Sequence, residues 1–184
     1  TAALIAPLAS DAPELAALLK VLARVHMLPC LTVMAGYERP SDEEWHLRVP
    51  GPASSVHSLI NDSSKRPGAQ QQVLVIQANP VFSRENLEAD PESWASALLE
   101  ETAKILGPWA AAPAWHQWHR WRHARVQRGD TLSNPVLLSW PEGQQLALCG
   151  EAFNGAGGVE GALLSGLALA HRLKQGQATP VVGR

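Results

Sequence analysis

The sequence predicts an α+β fold: a mostly antiparallel sheet flanked by helices, followed by a C-terminal strand, glycine-rich turn and helix of a different kind. Three observations carry this. Apolar extended runs follow one another with only two helical segments interposed, an order that favours α+β over a regular parallel sheet. Both helical segments carry N-terminal capping chemistry. The chain then closes on "LALCGEAFNGAGGVEGALLSGLALAHRL", Leu146 to Leu173, in which an apolar run meets a cluster of glycines and then helical periodicity. With 184 residues, 46% apolar and 17% charged, the chain is long enough for one good core, or one core and a piece of another.

The elements follow in order. Ala2–Ala6 reads as a short apolar strand ended by Pro7. Asp11 and Glu14 fit a capping box with Pro13 in the first turn, and Leu15, Leu18, Leu19 and Leu22 then recur at helical spacing. Met27–Pro40 is a long, nearly continuous apolar strand, so both of its faces are expected to be covered. Val56–Ile60 is a strand leading into the turn "SSKRPG", and Gln71–Pro80 is another strand. Asp90 suits an N-cap with Pro91 at the first helical position, and Gly107 stops that helix after Leu106. Trp94, Leu98 and Ile105 face its core, flanked by Ala95 and Leu99. "AAPAWHQWHRWRHARV" reads as a strand, "PVLLSW" as a short extended piece, Leu146–Cys149 as a strand and Val159–Lys174 as a helix. The tail "QGQATPVVGR" is expected to fray.

The formal net charge of −2 gives no global field favouring nucleic acid or an anionic membrane. No apolar run reaches transmembrane length, and no basic-then-apolar leader precedes the first strand. The two cysteines, Cys30 and Cys149, lie in apolar runs and are too few for a disulfide framework, which points to a reduced, cytoplasmic setting. The chain starts at Thr1 and enters an apolar run at once, so it is expected to be one portion of a longer protein.

Two stretches carry candidate chemistry. Gly150, Gly155, Gly157, Gly158 and Gly161 crowd the turn before the last helix. Glycine allows positive φ and close approach of a ligand, and the helix beyond aims free N–H groups and its positive end at the turn. Glu151 could accept hydrogen bonds from ligand hydroxyls. The small side chains at Gly161, Ala162, Ser165, Gly166 and Ala170 give the helix a face for close packing. A tight loop with no ligand is an equal reading of spacing alone. The second stretch, "WHQWHRWRHARV", interleaves tryptophan, histidine and arginine. On a strand His119 and His123 share one face and His116 takes the other, with no carboxylate or cysteine nearby in sequence, so no metal is expected. The basic run is too short in a weakly acidic chain to suggest single-stranded nucleic acid. Trp115 and Trp118 are expected to fill a core. In "NDSSKRPG", Asn61 is the better candidate to face a substrate and Lys65 a solvated turn residue. His57 reads as a buried, satisfied histidine.

A resemblance adds to this. "LALCGEAFNGAGGVEGALLSGLALA" resembles the C-terminal flavin-contacting segment of flavin-dependent amine oxidases, and of their renalase-like NAD(P)/FAD-dependent group in particular, which end on a strand, Gly-Asp, a variable loop and "-VEGA-LSG-A-A". "WHRWRHARV" is similar to that group's "hRWRyA" strand, "SLINDSSKRPG" to its strand and turn, and "ALIAPLASDAPELAALL" to its exit from the dinucleotide domain. The resemblance implies FAD as cofactor. It implies a strand over residues 1–10 leaving a dinucleotide domain, a substrate-binding domain over 11–128, and the end of an FAD-binding Rossmann-type domain over 129–184. The N-terminal half bearing GxGxxG would be a separate, missing portion. Gly150, Glu151 and the backbone of Gly158, Val159 and Glu160 would then contact the flavin, with Glu151 standing where the group usually has Asp. Trp121 and Arg122 match the "RWR" and would line the substrate pocket with Asn61. The implied chemistry is hydride transfer from a dihydronicotinamide or an amine to flavin, with oxygen as acceptor; the portion alone would be inactive. An apolar face around Ala162–Ala170 and Ala2–Ala6, left uncovered, would invite self-association. The competing reading is a non-catalytic α+β module that binds a partner or small ligand in a tryptophan-rich groove, with no large exposed apolar patch.

Overall fold

The computed structural model describes residues 2–8, 12–38 and 45–176. The chain divides into two compact units, one formed within 28–124 and the other within 1–27 and 125–184. The chain passes from one to the other inside its two longest strands.

The central unit is built on a five-stranded sheet in the order β2-β3-β4-β1-β5. Its strands are β1 (Met27–Tyr37), β2 (Leu47–Arg48), β3 (Val56–Asn61), β4 (Gln72–Ala78) and β5 (Trp115–Val126). β2, β3, β4 and β1 pair antiparallel in succession, with Leu59 opposite Ile76 and Val75 opposite Met34. β5 forms the edge beside β1. The Ala114 N–H bonds Gly36 O and the Gln127 N–H bonds His26 O, which runs β5 opposite to β1. Of these strands, β1, β3, β4 and β5 match expected ones, the predicted limit of β1 at Pro40 lying outside the described residues, while β2 has no predicted counterpart.

Helices α3 (Pro80–Glu85) and α4 (Pro91–Leu106) follow β4. Asp90 caps α4 as its sequence predicts: its side chain accepts a hydrogen bond from the Ser93 N–H at 3.0 Å, with Pro91 behind it. Replacing Asp90 by Ala is expected to lower stability by about 1 kcal/mol, read as a shift of the urea unfolding midpoint, since this cap satisfies one otherwise orphaned donor. Trp94, Ala95, Leu98 and Leu99 of α4 pack on Leu31, Val33, Ala35, Leu59, Leu74 and Ile76 to make the core. Tyr37 closes one end, its hydroxyl donating to Ala110 O at 2.8 Å; burial pushes that phenol above its ordinary range. The short helix α3 has no counterpart in the predicted elements. Asn79 starts it, accepting from the Phe82 N–H at 2.8 Å, with Pro80 at the first turn.

The other unit holds α1 (Ala2–Ile5), α2 (Pro13–Leu22), the hairpin of β6 (Val136–Ser139) and β7 (Gln145–Leu148), and α5 (Gly158–Gln175). Ile5, Leu15, Leu18, Leu22, Leu138 and Phe153 form its core. The strand expected over Ala2–Ala6 is a correction: it is a helical turn running into a 3-10 turn over Ala6–Leu8. Alanine and leucine are strong helix formers, and so short an apolar run has no period to tell strand from helix. Asp11, expected to cap α2, lies outside the described residues, as does the tail beyond Gly176; Ala12 stands at the N-cap without a side-chain bond. The unit boundaries fall at 28 and 124, and α2 shares its core with Leu138 and Phe153.

Candidate functional site

The glycine turn belongs to the C-terminal unit. After β7 the chain makes a 3-10 turn over Glu151–Phe153 and enters α5 at Gly158. Gly150, Gly157 and Gly158 adopt φ of 132°, 66° and 61°, a region closed to most other residues. A Cβ built on any of the three meets nothing within 4 Å, so the backbone here borders open space. Two side chains fix the turn from behind. Ser165, fully buried in α5, accepts the Gly150 N–H at 3.2 Å, and Asn154 accepts the Ala156 N–H at 2.9 Å. Gly161, Ser165 and Leu169 form the buried face of α5. This narrows the predicted small-residue face to one strip.

The α5 N-terminus is open. Gly158, Val159 and Glu160 are exposed, Val159 to 89%. Glu151 reaches the same end: its carboxylate accepts the Gly158 N–H at 3.2 Å. The carboxylate expected to meet ligand hydroxyls thus also satisfies a first-turn donor of α5, where negative charge is favoured. The Gly158 N–H bond to Glu151 brings Gly150, Glu151, Gly158, Val159 and Glu160 together at the start of α5.

The tryptophan–histidine strand lies in the central unit, and its alternation divides it cleanly. The even positions face the helices. His116 and Trp118 both bond Glu92, at 3.0 and 2.9 Å, Trp118 meets Trp94 edge-on, and Arg120 donates to Ala89 O at 2.9 Å. Arg122 forms a two-pronged ion pair with Glu88. The Arg122 bond holds Glu88 below the usual carboxylate range, and the His116 and Trp118 bonds do the same for Glu92. Protonation of either carboxylate, as pH falls through that lowered range, therefore weakens its tether.

The odd positions face the other side. Trp115 covers Gly36, whose neighbours Ala35 and Tyr37 point into the helix-side core. His119 stacks on Trp121 with ring centroids 4.1 Å apart, and Trp121 is 51% exposed. Trp121 and Arg122, expected to line one pocket, are thus on opposite faces, and Arg122 is engaged by Glu88. Adjacent strand residues always part in this way. Asn61 also differs from expectation. It is 2% exposed and lies opposite Leu74 of the helix-side core, with its side-chain oxygen unbonded among the described residues. It lines up with Ala35, near the Ala114 end of β5, away from Trp121. Trp115, expected to fill a core, is part of the open face, as is His119. Strand period alone was sufficient to find them. Gly36 is the site's hidden requirement: a Cβ there would stand 2.2 Å from the Trp115 indole. Gly36→Ala is expected to expel that ring, raising its accessibility to acrylamide quenching and costing about 1–3 kcal/mol of overpacking. Among the described residues no three histidine, cysteine or acidic side chains converge as a metal site, and no helix is long and apolar enough to cross a membrane.

Known proteins share the family and the fold of this chain. The family described as "Flavin containing amine oxidoreductase" matches residues 4–174. No curated protein sequence matches the chain. Among solved structures, one provisionally assigned as a protoporphyrinogen oxidase, from Exiguobacterium sp. 255-15, superposes with a TM-score of 0.65 at 15% identity, over 85% of this chain and 36% of its own. Cyclohexylamine oxidase from Brevibacterium oxydans IH-35A superposes with a TM-score of 0.64 at 16% identity, over 87% of this chain and 38% of its own. The chain thus spans little more than a third of either relative. At these identities the likeness is one of fold: an antiparallel sheet flanked by helices.

Proposed function

We propose, since the chain belongs to the flavin containing amine oxidoreductase family, that it supplies the flavin-ring end of a cofactor site and the substrate surface of an FAD-dependent oxidoreductase. FAD is the family's cofactor, and when bound it takes a hydride from a reduced carbon. The observation that carries the reading is the glycine turn. Positive φ at Gly150, Gly157 and Gly158 opens the backbone onto the exposed first turn of α5, a cradle that fits a flat ring with carbonyl oxygens. The N–H groups of Gly158, Val159 and Glu160 would hold such an oxygen and stabilise negative charge developing on it. Glu151 would exchange its bond to Gly158 for hydroxyls of the ribityl chain, the role its position in the motif implies. Ser165 holds Gly150 in place throughout.

The finer reading is a renalase-like or amine-oxidase-like enzyme that passes its electrons to oxygen and works with a GxGxxG-bearing half supplied by further sequence, in a reducing, cytoplasmic compartment. Two observations support a partner half. The solved relatives extend well beyond the matched region. And α5 carries a second apolar row, Val159, Leu163 and Leu167, on its exposed side, with Leu163 63% exposed. Uncovered, that row would drive the chain to self-associate, and the chain by itself would not turn over substrate. The test is to purify the protein with any residues its reading frame encodes upstream of Thr1 and record its visible spectrum. A yellow protein bleached by a reduced nicotinamide or an amine supports the reading. A colourless one that ignores added FAD leaves the turn as packing and favours a ligand-binding module.

A further inference from the structure

A cavity of about 500 Å³ opens at the Tyr37 end of β1, lined by Tyr37, Glu38, Trp109, Ala112 and Ala114. All five belong to the central unit. Ala114 and Trp121 are separated by roughly 20 Å of extended chain, so the cavity is a different place from the Trp121 face. The Tyr37 and Trp109 rings meet nearly at right angles, 81° between their planes and 4.9 Å between centroids, and the methyl groups of Ala112 and Ala114 extend this apolar wall. The donors around the cavity are spent on backbone carbonyls. The Tyr37 hydroxyl donates to Ala110 O at 2.8 Å, and the Trp109 indole N–H to Leu106 O at 3.0 Å. The Ala112 N–H bonds Trp109 O at 3.2 Å and the Ala114 N–H bonds Gly36 O at 2.8 Å.

We propose that this cavity binds an organic ammonium ion carrying apolar substituents. Glu38 is the one charged side chain in its lining, and it is exposed. No lysine or arginine stands there, and the side-chain donors that do already have their acceptors, so no lining side chain offers to hold an anion. A cation meets the Glu38 carboxylate and two aromatic rings, whose π-electrons attract positive charge. Its apolar substituents pack on the alanine methyls, which favours an alkylated ammonium over a bare metal ion. The cavity shares no residue with the glycine turn or the Trp121 face, so the proposal stands apart from the cofactor reading.

The experiment titrates the chain with probes of one shape and different charge, tetramethylammonium, tert-butanol and pivalate, and follows the indole N–H signals in NMR. Tetramethylammonium is expected to move the Trp109 signal at a concentration roughly fivefold or more below that needed by tert-butanol, the margin of a weak ion pair and a cation–π contact together. Pivalate is expected to be weaker still. Glu38→Gln, a change at an exposed position, is expected to weaken the tetramethylammonium response about threefold and to leave the tert-butanol response as it was. Glu38→Lys is expected to reverse the order in favour of pivalate. Any response of Trp121 is expected to be the same in all three forms, because its separation from Glu38 exceeds the screening length of about 8–10 Å at ordinary salt. A Trp109 signal that ignores tetramethylammonium, equal responses to the three probes, or a tetramethylammonium response undiminished in Glu38→Gln overturns the proposal.

Discussion

Trp94→Ala is expected to destabilise the central unit by about 3–5 kcal/mol, the cost of removing a large aromatic from a packed core. Trp94 is 1% exposed. It sits where α4 meets the sheet, in the cluster with Leu31, Leu59, Leu74 and Ile76, and its ring meets Trp118 edge-on with centroids 6.0 Å apart. A domain's whole stability is about 5–15 kcal/mol, so this one change removes a large share of it. The two units have separate cores, which makes the result local. Amide hydrogen exchange in β1 and β4 is expected to accelerate by roughly a hundredfold or more, each ~1.4 kcal/mol giving a factor of ten. The β6–β7 hairpin is expected to keep its protection. Equal acceleration in both would mean that the units unfold together. Trp94→Phe refines the test. The indole N–H of Trp94 is buried with no acceptor among the described residues, a cost of about 1–3 kcal/mol that phenylalanine avoids. That variant is expected to retain most of the stability.

How much of this was legible in the sequence follows from which forces act locally. Asp90, Pro91 and Gly107 bound α4 through backbone chemistry confined to its ends, so the helix could be read to the residue. The long apolar run of β1 and the alternation of β4 announced themselves in the same way. The run at Ala2 could not be read, because five apolar residues fit either period and only packing against α2 decides. The burial of Asn61 was hidden for a related reason. Its polarity suggested a ligand, yet which face of β3 meets the helices is set by long-range pairing with Leu74. Arg122 and Trp121 share one motif, yet as neighbours on a strand they take opposite faces, and Glu88 engages Arg122. The glycine turn was visible as composition, but the acceptor role of Ser165, fifteen residues on from Gly150, appears only once α5 folds back on the turn.

Gly157→Ala is expected to weaken flavin binding far more than Gly155→Ala, although the two glycines share one loop. A Cβ at either position meets nothing within 4 Å, so crowding in the free chain does not separate them. Backbone conformation does. Gly157 holds φ 66° and ψ −176°, a combination essentially confined to glycine, whereas Gly155 is not among the positive-φ residues. Forcing a side chain onto Gly157 costs about 1–3 kcal/mol of strain. The turn escapes that strain by leaving the conformation that aims the α5 N–H groups outward. Affinity then falls in proportion to the fraction of molecules still competent to bind, about 5- to 150-fold for that strain. The measurement is FAD titration of the flavin-loaded form of the protein after stripping and reconstitution, with thermal unfolding of the free chain alongside. Gly157→Ala is expected to lower both the affinity and the melting temperature, and Gly155→Ala neither. A Gly157→Ala protein that melts lower yet takes up FAD as before would show that the turn is strained for packing alone, and the cofactor would have to be held by other residues.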